Sequence, residues 1–236
     1  MTKLFHAFLF LLIASYALGQ EVKIRKKDRK KDIMMVTDSG TIILRLSDST
    51  PIHRDNFLKL VKTGFYDDII FHRVIQGFVI QAGDPKTKRV VGDTSGFRSP
   101  SYTIPAEIRQ SFYHRRGVLA AARTGDDVNP ERRSSGTQFY IVQGRVHTPE
   151  SLDSVETHRL KGKKISRERR AVYQSIGGIP HLDQNYTIFG QVVSGMDVVD
   201  RIASTKTSGR QQGDKPLTDI RIQKVTLVKR HREPKN

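Results

Sequence analysis

Ile33-Met34-Met35-Val36 and Ile42-Ile43-Leu44-Arg45-Leu46 are aliphatic runs separated by Asp38-Ser39-Gly40. That pattern predicts strand, tight turn, strand. Thr50-Pro51 predicts a helix start, with Thr as N-cap and Pro in the first helical position. Phe57, Leu60 and Val61 then recur at helical spacing, and Gly64 closes the helix. Residues 67–75 and 78–81 read as strands around a break at Gly77, and residues 92–105 as loop. Residues 117–122 and 137–142 predict short strands on either side of a polar loop, 123–136. Residues 145–178 are charged, helical in parts, and read as an insertion. Residues 186–193 predict a strand, Met196, Val199 and Ile202 a second short helix, and residues 220–228 a closing half-buried strand. Many short strands with two convincing helices argue for a closed antiparallel barrel or a sandwich, and periodicity alone does not choose between them.

Composition narrows the classes. A chain of 236 residues with 36% hydrophobic positions forms one generous domain or two small ones. It has no Cys, which excludes a disulfide scaffold, thiolate zinc fingers, a Cys nucleophile and iron–sulfur sites. The formal charge of +17 predicts attraction to anionic partners. The basic excess is spread over residues 21–32, 145–178 and 229–236, so no single face is implicated.

The N-terminus carries Lys3, an apolar run from Leu4 to Leu18 and the small residues Ala17 and Gly19 before Gln20. Charge, length and cleavage chemistry are those of a secretory signal peptide over residues 1–19. The expectation is an exported protein, periplasmic or secreted, with no specific nucleic-acid partner and an anionic envelope component as one candidate. Residues 20–32 read as a flexible basic linker and 229–236 as a basic tail.

Phosphate-binding glycine loops, H-E-x-x-H and G-x-S-x-G are absent, and the eight His are dispersed. No metal or cofactor is expected. One dense segment remains: Phe71-His72-Arg73-Val74-Ile75-Gln76-Gly77-Phe78-Val79-Ile80-Gln81-Ala82-Gly83-Asp84. Arg73 and Gln81 are an even number of residues apart, which puts their side chains on one face of an extended chain. A bulge at Gly77 would break that register, and a core hairpin with a snorkelling Arg fits the same residues.

This segment resembles the most recognisable stretch of the cyclophilin family of peptidyl-prolyl cis-trans isomerases. Gly117-Val118-Leu119-Ala120-Ala121-Ala122-Arg123, Ser135-Gly136-Thr137-Gln138-Phe139-Tyr140-Ile141 and His181-Leu182-Asp183-Gln184-Asn185-Tyr186-Thr187-Ile188-Phe189-Gly190 extend the likeness in order along residues 33–228. The details are most similar to exported bacterial members. The resemblance implies a closed eight-stranded antiparallel barrel capped by two α-helices, without cofactor, and a monomer. It implies an isomerase that turns X-Pro bonds in proline-containing polypeptides and assists the folding of exported proteins. A proline-binding chaperone with incidental turnover and a basic anion-binding surface protein are the other readings.

By the same resemblance Arg73, Phe78 and Gln81 are catalytic. Val79, Tyr140 and Leu182 complete the pocket, Ala122 and Gln138 form the adjoining groove, and His181 and Tyr186 stand at its rim. Several positions depart from the family pattern. Val79 is smaller than the common Met. Tyr140 replaces a common Phe, and its hydroxyl needs a partner. His181 stands where Trp or Phe is common, which bears on binding of cyclosporin-like cyclic peptides. His72 is expected to be structural, and Asp84 to fix a turn.

Overall fold

The computed structural model describes residues 22–88 and 102–230. The expected signal segment, most of the 92–105 loop and the last six residues of the basic tail lie outside the described residues. The strands are β1 (Asp32–Thr37), β2 (Gly40–Leu46), β3 (Arg73–Val74), β4 (Val79–Ala82), β5 (Thr103–Ile104), β6 (Val118–Ala121), β7 (Ser134–Ser135), β8 (Phe139–Val142), β9 (Ile188–Ser194) and β10 (Ile222–Val228). The helices are α1 (Pro51–Lys62), α2 (Pro149–His158), α3 (Arg167–Ser175) and α4 (Met196–Ala203). Among the described residues no helix is long and apolar enough to cross a membrane.

Eight strands form one antiparallel sheet in the order β10-β1-β2-β9-β6-β8-β4-β3, and β5 pairs with β7 apart from it. The expected closed barrel is corrected here: the sheet is a curled, open half-barrel. Its edge strands β3 and β10 share no ladder. Residues 68–71, expected to extend a strand, instead meet the start of β10 through three single hydrogen bonds. These are Asp68 N–H to the Ile222 carbonyl, Ile222 N–H to Ile69 and Phe71 N–H to Ile220, at 2.8, 2.8 and 2.9 Å. With β3 only two residues long, too little extended backbone remains to complete the ring.

Strand alternation divides the apolar residues between two cores. Val74, Ile80, Ile141 and Leu119 point inward with the apolar faces of α1 and α4. Val79, Val118, Ala120, Ala122, Tyr140 and Val142 point outward into a second cluster with Ile179 and Ile188. Because both faces are covered, β6 and β8 are buried at every position. Two helices cap the sheet as expected, while α2 and α3 belong to the insertion and enclose a small core of their own, Leu152, Ile165 and Tyr173.

Two sequence expectations are revised. The basic stretch read as a flexible linker is docked on α1. Asp28 is buried and accepts from the Arg25 N–H at 3.0 Å and Lys62 Nζ at 2.9 Å. Arg29 grips Asp55 through two bonds of 3.1 and 2.6 Å. One acidic and one basic residue of the stretch, Asp28 and Arg29, supply the anchors that the net charge conceals.

Thr50 occupies the N-cap of α1, but its buried hydroxyl has no hydrogen-bond partner among the described residues. The cap comes from Glu107. Its carboxylate accepts the Ile52 and His53 backbone N–H groups at 3.2 and 2.9 Å and faces His53 Nδ1 at 2.7 Å. A carboxylate there also meets the positive end of the helix dipole. Glu107→Ala leaves two backbone donors without an acceptor, one of them buried, and is expected to lower stability by about 2–4 kcal/mol. Chemical denaturation measures this; a loss below about 0.5 kcal/mol would show that another group caps α1.

Candidate active site

The site begins with strand register. Arg73 on β3 faces Gln81 on β4, Gln81 faces Tyr140 on β8, and Tyr140 faces Ala120 on β6. Four directly opposed residues share one sheet face, so their side chains stand in a row on the outer side. The tight turn at Gly77 keeps Arg73 and Gln81 opposite one another, and the feared bulge does not occur.

That row borders a hollow of about 200 Å³ lined by Arg73, Phe78, Val79, Gln81, Ala122, Arg123, Tyr140, Leu182 and Tyr186. Eight of the ten residues named from the resemblance are therefore in its wall. Gln138 lines the adjoining groove of about 380 Å³ together with Gln81 and Ala122. His181 is not part of that wall; its ring lies parallel to Phe78, which is, with centroids 5.9 Å apart. A separate hollow of about 270 Å³ between Arg45, Phe112, Arg115 and Gln191 contains none of the ten.

The polar groups are held from outside the motif. Arg73 Nε lies 3.8 Å from a carboxylate oxygen of Asp214, and the Asp214 carbonyl accepts the Val74 N–H at 2.9 Å. Gln81 Nε2 donates to Gln138 Oε1 at 3.2 Å and lies 3.4 Å from His72 Nε2. The Ala122 N–H donates to the Gln138 carbonyl at 3.0 Å. The Arg123 guanidinium covers the Tyr186 ring at 4.7 Å, and its Nε donates to the Asn185 carbonyl at 2.8 Å. Tyr140 packs edge-on to Tyr186 with centroids 5.8 Å apart. Its hydroxyl finds its partner in His114 Nε2 at 2.9 Å, a residue the motifs do not single out. Asp84 accepts the Lys86 N–H at 3.0 Å and caps a short turn, as expected.

Charge in the hollow rests on arginine. Burial, with the Arg159 cation adding to it, lowers the His181 imidazole to about 4. Burial pushes the Tyr140 phenol well above its usual range, so the hydroxyl keeps its proton. An apolar notch with the Arg73 and Arg123 guanidiniums in its wall and two amide side chains beside it suits a neutral ring and a backbone amide.

His53, His72, His147 and His181 are all lowered, each chiefly by burial. The unfolded chain takes protons at these rings near pH 6.5, which the folded chain refuses. Their contribution to stability is complete above about 6.5 and is lost as pH falls toward the lowered values. The urea midpoint is expected to drop between pH 7 and 5, before most carboxylates titrate, and to drop less in His181→Phe. A midpoint that does not move over this window would contradict the burial of these rings.

The family model for cyclophilin-type peptidyl-prolyl cis-trans isomerases matches residues 33–227. A Staphylococcus saprophyticus protein assigned by name to these isomerases is 34% identical over 211 residues, covering 89% of this chain and 93% of its own. A Staphylococcus aureus relative assigned the same name is 32% identical over 83% of this chain and 90% of its own. In fold, a crystal structure of a Cryptosporidium parvum cyclophilin-type isomerase superposes with a TM-score of 0.59 at 23% identity, covering 86% of this chain and 99% of that one. Matched along its whole sheet and helices, the chain belongs to the cyclophilin-type peptidyl-prolyl cis-trans isomerases, enzymes that rotate X-Pro peptide bonds.

Proposed function

We propose that Arg73 is the catalytic cation of this isomerase. Phe78, Val79, Tyr140 and Leu182 grip the prolyl ring. Gln81, Gln138 and Ala122 hold the extended client backbone, and His181 and Tyr186 form the rim. The row that carries Arg73 and Gln81 beside Tyr140, over one apolar hollow, is the observation that supports this reading.

The chemistry follows from the amide. Resonance sets a barrier of about 20 kcal/mol, and unaided exchange takes tens to hundreds of seconds. No covalent bond need form. Catalysis requires tighter binding of the twisted amide than of either planar isomer. Twisting breaks conjugation and leaves a lone pair on a pyramidal prolyl nitrogen. A guanidinium N–H aimed at that lone pair stabilises the twisted form and does little for the planar ones. Arginine suits the task because its charge persists and its planar fork holds direction. The Asp214 carboxylate, 3.8 Å from Nε, biases where the fork points.

The apolar walls immobilise the ring, so the residue before proline rotates. With Gln81 Nε2 committed to Gln138 Oε1, Gln81 Oε1 and Gln138 Nε2 remain for the client backbone, since neither makes another hydrogen bond among the described residues. His181 stands where a cyclosporin-like cyclic peptide would meet the rim. Exposed Arg159, Lys161 and Lys163 on the insertion offer a surface to an anionic envelope component. The signal-like residues 1–19 support a role in folding exported proteins.

Arg73→Ala is expected to lower kcat/KM on an X-Pro peptide by about 10²–10³-fold, with Arg73→Lys intermediate, read by NMR exchange or a protease-coupled assay. Activity of the Ala variant within about threefold of the parent would remove Arg73 from the mechanism and favour passive capture of proline segments. The export reading expects the mature chain, made with its first residues in a secreting host, to begin at Gln20. Retention inside the cell with Met1 intact would refute it.

A further inference from the structure

The Tyr140 hydroxyl opens a buried polar chain that leaves the pocket and ends in the insertion. Beyond Tyr140, His114 Nδ1 lies 3.2 Å from Asp183 Oδ1, which also accepts the His114 backbone N–H at 2.7 Å. Both Asp183 oxygens accept the phenol of Tyr173, at 2.9 and 2.8 Å. Tyr173 belongs to α3 and is fully buried, as is His114. The Asp183 carboxylate only accepts, so His114 Nδ1 donates to it; in the neutral ring Nε2 is then the acceptor for the Tyr140 hydroxyl. Tyr140, His114, Asp183 and Tyr173 thus partner one another in sequence, and burial of all but the half-buried Asp183 keeps water from substituting at the other three.

The backbone ties the same parts together. The Ile179 N–H donates to the His114 carbonyl at 2.8 Å, and the His147 N–H to the Tyr173 carbonyl at 3.0 Å. Gly178 has φ +151, and a Cβ there would lie 2.3 Å from the His114 carbonyl oxygen. So the insertion returns to the sheet in contact with the residue that holds Tyr140. From that point the chain runs directly into His181, Leu182 and Asp183. Arg169, also on α3, lies 3.9 Å from Asp183 and covers the Tyr113 ring at 5.3 Å.

We infer that Tyr173 is a positioning residue for the prolyl pocket: through Asp183 and His114 the insertion sets the Tyr140 wall and the His181–Leu182 rim. This rests on the reading of Tyr140 as a pocket wall. A purely decorative insertion would need no buried phenol aimed at a carboxylate next to the rim.

The test is a double-mutant cycle on the full chain, with steady-state kinetics on an Ala-Pro tetrapeptide and thermal midpoints for each form. Tyr173→Phe keeps the ring and removes the hydroxyl; it is expected to raise KM about three- to tenfold while kcat changes less than about twofold. In a Tyr140→Phe background the chain is already cut, and the same substitution is expected to raise KM less than about twofold. A residue that only supports the fold would lower the thermal midpoint in both backgrounds and leave KM alone. An unchanged KM, or an equal rise in both backgrounds, overturns the inference. Asp183→Asn, expected to reproduce the coupled KM rise, keeps the test decisive if Tyr173→Phe folds poorly. Arg73→Ala separates the two levels. If it abolishes turnover while the cycle is additive, only the positioning role fails. If neither Arg73→Ala nor Tyr140→Phe changes the kinetics, the site assignment fails with it.

Discussion

The antiparallel register of β3, β4, β8 and β6 is the constraint on which the rest depends. It sends Val74, Ile80, Ile141 and Leu119 to one side and Arg73, Gln81, Tyr140 and Ala120 to the other. A slip of one residue would exchange the two sets. The aliphatic set needs the helix-capped interior, and an unpaired guanidinium could not be accommodated there. The same burial that stabilises the sheet therefore fixes which side chains face the hollow. Structure and chemistry share one specification, which lets a small apolar hollow hold a cation in a defined place.

Polar side chains from distant segments finish what the register begins. Asp214 directs Arg73, Arg123 covers Tyr186, and His114 receives the Tyr140 hydroxyl. None of these helpers belongs to the row. They come from connecting segments, where the backbone is free of ladder geometry and can bring a side chain to a chosen point. The insertion extends the pattern. Its helices have a core of their own, but the phenol of Tyr173 is directed toward the active face. The hydroxyl of Tyr140 needs a partner, and the molecule answers with a chain of partners leading into the insertion.

The strands and the two capping helices were legible in the sequence because alternation and helical spacing are local signals. The candidate site was named through the family resemblance of Phe71 to Asp84 and the three later blocks, since the segment alone fitted a core hairpin equally well; the short hairpin brings Arg73 and Gln81 together. What escaped depends on contacts without a local period. Glu107 caps a helix that starts at Pro51, and nothing near either residue announces the pairing. Tyr140 declared a need for a partner, but nothing local to it named His114, which the fold supplies. Residues 67–75 had strand composition, yet only Arg73–Val74 join a ladder and Ile70 makes a single bridge to Arg221, and the ring stays open. The basic stretch before β1 read as loose because net charge says nothing about where individual carboxylates sit.

The pairing of β1 with β10 joins Asp32 to Val228, nearly the full length of the sheet's sequence. During synthesis the first strand emerges early and its ladder partner last. Until residue 228 is available, one edge of an aliphatic strand has no neighbour and one flank of the inner core is uncovered. Such a long-range closure makes folding slow to nucleate and late to commit. A chain built this way completes its sheet only when its final strand arrives.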